Sequence, residues 1–189
     1  MHKSDRRWRI RCGAITVALL LSAASAAATV TAPELVAAFL FNFARFTEWP
    51  ADALPAGGPL QLCVGGDSAV AEALERAAKK EKQLGGHPLV VRKVSVDRPV
   101  GSCHLLYAAG LDTKRAVALL DAVKHNSVLT LSDLATFPQL GGTAQLYFEG
   151  DRVRFAVNVE SAQRFRLRLS SKLLNLAKLV KDDPHVPTR

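Results

Sequence analysis

The chain has 189 residues, with 25 Lys and Arg against 17 Asp and Glu, a formal charge of +8, and three cysteines. That length makes one domain the default and allows an adequate core without metal or many crosslinks. The positive balance is poor evidence for nucleic-acid binding, because much of it sits at the extreme N-terminus.

Residues 1–11 carry Lys3, Arg6, Arg7, Arg9 and Arg11 against the single acid Asp5. An apolar stretch over 14–21 follows, then Ser22-Ala23-Ala24-Ser25-Ala26-Ala27-Ala28. Basic, apolar and small-residue segments in that order describe a cleaved secretory signal over 1–28. The apolar stretch falls short of the about 20 residues that span a bilayer. Arg6-Arg7 leaves the twin-arginine route open beside the general one. Without 1–28 the count falls to 20 basic and 16 acidic residues, a charge of +4 over 161 residues. The expectation is export to the periplasm, a domain over 29–180 and a frayed tail over 181–189.

Cys12 leaves with the signal, so Cys63 and Cys103 remain. Two cysteines in an oxidising compartment usually pair. Each lies at an end of an apolar run, Leu60-Gln61-Leu62-Cys63-Val64 and Cys103-His104-Leu105-Leu106-Tyr107. If those runs are neighbouring strands, the thiols come within bonding reach.

In chain order, residues 33–48 read as a helix that is apolar nearly all round, opened by Pro33 and stopped by Pro50. Such a helix is buried or awaits a partner. Residues 60–64 read as a buried strand, and Gly65-Gly66-Asp67-Ser68 turns into a helix that Gly85-Gly86 ends. Leu89-Val90-Val91 begins a second strand, and 104–108 is a third. Residues 113–124 show helical spacing, 127–131 a fourth strand, and Ser132-Asp133 can cap a short helical turn. Residues 144–148 and 152–159 alternate around Glu149-Gly150-Asp151 as a β-hairpin. Leu169, Leu173, Leu176 and Val180 suggest a closing amphipathic helix. Strands alternating with helices and then a hairpin predict a single-domain α/β sandwich, with a mostly parallel central sheet and flanking helices.

Candidate chemistry is sparse. Gly65, Gly66, Asp67 and Ser68 lie between a strand and a helix N-terminus, where free backbone N–H groups favour anions. The motif lacks the P-loop lysine and the spaced glycines of a dinucleotide site, and Asp67 repels phosphate. It reads first as a tight turn with a helix cap, and second as a ligand contact. His87, His104, His125 and His185 form no ligand spacing, so neither metal nor other cofactor is expected. No G-x-S-x-G elbow is present. In Ser170-Ser171-Lys172 the lysine is one and two residues from the serines, and a Ser-Lys pair on a helix needs three or four. No enzyme emerges.

Two long segments resemble those of the YfiR family. They are Glu34-Leu35-Val36-Ala37-Ala38-Phe39-Leu40-Phe41-Asn42-Phe43-Ala44-Arg45-Phe46-Thr47-Glu48-Trp49-Pro50 near the start and Arg168-Leu169-Ser170-Ser171-Lys172-Leu173-Leu174 near the end. Leu62-Cys63-Val64-Gly65-Gly66-Asp67 and Cys103-His104-Leu105-Leu106-Tyr107 are similar to the family's two cysteine-bearing strands, and 141–158 to its hairpin. Departures are Phe41 in place of a tyrosine, and Gln145 and Tyr147 in an otherwise apolar strand.

The resemblance implies a periplasmic inhibitor. Its partner would be the periplasmic domain of an inner-membrane diguanylate cyclase, held off so that cyclic-di-GMP and biofilm formation fall. It also implies that the redox state of the disulfide can bear on inhibition. A second reading is a small-molecule sensing protein that works with another membrane sensor such as a histidine kinase. Arg168, Ser171 and Lys172, on the side of the expected last helix away from its leucines, are candidates for partner contact. A solvated helix face is the plainer alternative for them. A two-fold homodimer is the commonest form of a soluble homo-oligomer.

Overall fold

An apolar helix, α1 (Ala32–Arg45), opens the described part of the chain. The computed structural model describes residues 31–98 and 100–183, so the expected signal, Cys12 and His185 lie outside it. The Thr31 backbone N–H and hydroxyl both donate to the Glu34 carboxylate, at 2.9 and 3.0 Å. These bonds hold the Glu34 carboxyl below its ordinary range. Val36, Ala37, Leu40, Phe41, Phe43 and Ala44 are buried. The helix ends three residues earlier than its apolar pattern predicts. Thr47 turns its hydroxyl back to the Phe43 carbonyl at 2.7 Å, and β1 (Thr47–Glu48) then pairs antiparallel with β9 (Arg168–Leu169). A strand partner from the far end of the chain outcompetes the last helical turn.

The main sheet uses β2 (Leu60–Gly65), β3 (Gln83–Leu84), β4 (His87–Val94), β5 (Leu105–Ala108) and β6 (Leu129–Ser132). It is completed by β7 (Ala144–Glu149), β8 (Arg152–Asn158) and β10 (Lys178–Val180). Among the described residues its order is β10-β8-β7-β6-β5-β2-β4-β3. Strands β4, β2, β5, β6 and β7 run parallel to one another, while β7–β8 is the antiparallel hairpin that the alternation predicts. The sheet is therefore mostly parallel, as expected. β5 and β6 are buried at every position. That is why β5 reads as an unbroken apolar run: a parallel strand is covered on both faces.

Chain direction reverses at β2. The crossover through α2 (Ser68–Glu81) carries the chain from β2 to β4, and that through α3 (Thr113–Val123) carries it from β5 to β6 in the opposite sense. Right-handed crossovers then place α2 and α3 on opposite faces of the sheet. α1 packs beside α2. Its Phe39 and Phe43 rings meet Phe155 of β8 edge-on, with centroids 6.0 and 5.1 Å apart.

Three expectations change. The closing helix over Leu169–Val180 does not form. Leu169 belongs to β9, Leu173 to the single turn α5 (Ser171–Leu174), and Val180 to β10, while Leu176 is 75% exposed. Two short strands and one helical turn happen to space leucines as a helix would. Gly85-Gly86 does not end α2, which stops at Glu81. The pair instead makes the tight turn of the β3–β4 hairpin, both glycines at positive φ. Last, α4 (Val159–Arg164) takes the end of the expected 152–159 strand. Asn158, fully buried, caps that helix by accepting the Ser161 N–H at 2.9 Å. The start of the expected tail is held as well. Asp182 accepts from Arg164 at 2.6 and 3.0 Å and from Asn158 Nδ2 at 2.7 Å.

Candidate functional site

Gly65, Gly66, Asp67 and Ser68 lie where β2 hands over to α2, at the carboxyl ends of the parallel strands. β4 lies on one side of β2 and β5 on the other, so the chain diverges here. In open α/β sheets that point leaves a crevice. Both glycines answer to packing. A Cβ on Gly65 would lie 2.5 Å from Val96 Cγ1. Gly66 has φ +82°, and its Cβ would collide with the Ala109 carbonyl oxygen, which follows β5.

Asp67 is the N-cap of α2: its Oδ1 accepts the Val70 N–H at 3.0 Å. Asp133, just past β6, accepts the Gly110 N–H at 3.0 and 3.3 Å, and Ser132 Oγ donates to the Ala108 carbonyl at 2.7 Å. Ser132 also accepts the Leu134 N–H at 3.2 Å, so it fixes a turn rather than starting a helix. Tyr107 of β5 lies between these groups and is only 4% exposed. Burial, then the charges of Asp133 and Asp67, push its phenol well above its ordinary pKa. These three residues line a cavity of about 380 Å³, closed by Val36 of α1, Val70 of α2 and Leu146 of β7. Sequence reasoning found Asp67 and missed Tyr107 and Asp133, which are distant in the chain. The readable signal was position, since all three sit at or just past the carboxyl end of an apolar strand.

Cys63 and Cys103 are joined, with Cα atoms 5.9 Å apart. Cys63 lies within β2, beside Leu106 of the adjacent β5, and Cys103 just ahead of β5. Cys63 is fully buried, while Cys103 lines an open groove of about 950 Å³ with Arg115 and Leu119 of α3. His104 has a structural part. Its Nδ1 accepts the Gln61 N–H at 2.9 Å, which places the proton on Nε2, 3.1 Å from the Ala53 carbonyl. Trp49 Nε1 donates to the His104 carbonyl at 3.1 Å, so this partly buried indole is held by the core.

The C-terminal candidates are all exposed. Arg168 lies on β9, with its Nε 3.6 Å from the Glu48 carboxylate, and Ser171 and Lys172 form the first turn of α5. Beyond them Leu176 and Leu179 are 75% and 60% exposed, the latter on β10 at the edge of the main sheet. Among the described residues no group of three His, Cys, Asp or Glu is placed to hold a metal ion. No described helix is long and apolar enough to cross a membrane.

These placements coincide with a sequence match. Residues 33–178 fit the family model described as YfiR/HmsC-like, which spans α1 through the start of β10. The chain belongs to this family. Among solved structures it is similar to a conserved domain protein from Vibrio cholerae O1 biovar El Tor, at 14% identity and a TM-score of 0.49. That match covers 69% of this chain and 57% of the other, so this chain spans a little over half its length.

Proposed function

We propose that this chain is a periplasmic regulatory binding protein that represses an inner-membrane diguanylate cyclase. It does so by occupying the enzyme's periplasmic domain, which lowers cyclic-di-GMP and biofilm formation. Membership of the YfiR/HmsC-like family supports a periplasmic regulator. One structural observation carries the binding role: Leu176 and Leu179 stand exposed just before and within β10, an edge strand of the main sheet among the described residues. Such an edge offers unpaired backbone groups to another chain. Exposed leucines beside it support the reading of an interaction surface. Arg168, Ser171 and Lys172 supply a polar rim on the same C-terminal segment. The cyclase assayed in membranes with the secreted form added outside tests this reading. Loss of cyclic-di-GMP synthesis supports it, and undiminished synthesis at saturating protein rejects it.

A second reading, solute sensing with a membrane partner such as a histidine kinase, is favoured by the crevice at the carboxyl ends of β2, β5 and β6. Its volume lies within the range of small-ligand sites. Saturable thermal stabilisation by one class of small molecule supports that reading.

A further inference from the structure

The structure assigns the crevice of Asp67, Tyr107 and Asp133 as a binding site for a small organic cation, an ammonium or guanidinium carried on an apolar body. Strand-end crevices beside helix N-termini ordinarily take anions, because their backbone N–H groups are free. Here two of the donors at this strand end are spent internally. The Val70 N–H goes to Asp67 and the Gly110 N–H to Asp133. The polar side chains that line the crevice, Asp67, Asp133, Tyr107 and Tyr147, are carboxylates and phenols.

Neither carboxylate has a basic side chain within ion-pair distance among the described residues. The Tyr107 side chain, 4% exposed, lines the same cavity and makes no side-chain hydrogen bond among them either. A phenol at a cavity wall with no protein partner is open to a ligand group or to water. An ammonium brings three donors, and two carboxylates with one phenol oxygen match them. Val36, Val70 and Leu146 wall the cavity, with Phe148, 49% exposed, at its mouth. They suit an aliphatic or aromatic body, and the ring adds a face for the charge. A divalent metal is the poorer fit, because it prefers about six oxygen ligands where two carboxylates stand without a third.

The test uses the secreted form of the whole chain, with thermal shift and calorimetric titration as readouts. Phenethylamine and agmatine are the probes, and 3-phenylpropionate, 2-phenylethanol and magnesium chloride are the comparators. Asp67→Asn keeps a good helix cap, and Asp133→Asn keeps an acceptor for Gly110, so both remove charge without removing structure. Tyr107→Phe deletes only the hydroxyl. The expected result is saturable stabilisation by at least one amine and none by the comparators. Each of the three variants should weaken that binding about tenfold while holding the unliganded Tm. No saturable response to either amine overturns the assignment, as does an equal response to the carboxylate, the alcohol or magnesium. Affinity unchanged in both Asn variants overturns it too. Because no cyclase is present, failure here is separate from failure of the partner reading.

Discussion

Leu169 lies in strand register with Thr47, and the next residue, Ser170, donates its backbone N–H to the Phe46 carbonyl at 2.9 Å. The two segments that carry the family resemblance, one at each end of the domain, thus fold as a single structural unit. The exposed leucines beyond α5 project from a segment anchored to α1.

Ser170→Pro tests that anchor with little else disturbed. Ser170 already has φ −63°, which proline adopts without strain, and Leu169 before it is extended. The substitution removes the N–H to Phe46 and the side-chain cap on Lys172. We expect a loss of about 2 kcal/mol in urea unfolding.

Asp52 and Arg166 form a second clamp, a bidentate pair at 2.7 and 2.8 Å. The Arg166 guanidinium holds the Asp52 carboxyl below its ordinary range. A carboxyl with a lowered folded pKa stabilises the fold fully above its unfolded value of about 4. That contribution declines as pH falls through the lower folded value. Asp52→Asn should therefore cost stability at neutral pH and cost progressively less below pH about 4. Denaturant midpoints across the acid range check this.

The Cys63–Cys103 disulfide closes a loop with a sequence separation of 40. In the chain-entropy model it is worth about 4 kcal/mol. A Cys63→Ala, Cys103→Ala double variant should lose about 3–4 kcal/mol and stay native-like in circular dichroism at low temperature. If that variant still represses the cyclase, the bond is a staple. Lost repression from a folded variant makes it a redox handle.

Gly66→Ala places a Cβ against the Ala109 carbonyl oxygen at φ +82°. The clash is with backbone, so relief requires β2 and β5 to separate at their carboxyl ends. The expected cost is about 2–3 kcal/mol in chemical denaturation, with amine binding weakened in parallel.

The central α/β order was legible because it rests on local signals. Asp67 caps α2 and Asp112 caps α3, each accepting an N–H three residues on. Likewise, β2, β5 and β6 are short, mostly apolar runs, interrupted by Gln61 in β2 and by Thr130 and Ser132 in β6. The C-terminal region was not legible, because its pairings are long-range. Leu169 is a strand residue only when Thr47 is beside it, and Leu179 only when Val157 is. A leucine spacing of three to four residues carries no information about those partners. The crevice was half legible for the same reason: Asp67 announces itself as a cap, while Tyr107 and Asp133 acquire meaning only once β5 and β6 are adjacent.

In the proposed function the C-terminal edge docks a membrane enzyme's outer domain. The direct measurement is calorimetric titration of that isolated domain with the oxidised secreted form and with a Leu176→Asp, Leu179→Asp variant. Both leucines are exposed, so the variant should keep its stability to within about 0.5 kcal/mol per site. We predict saturable binding by the parent and at least about tenfold weaker binding by the variant. Equal affinity of the two would contradict the docking surface, and no binding by the oxidised parent would contradict the regulatory role itself.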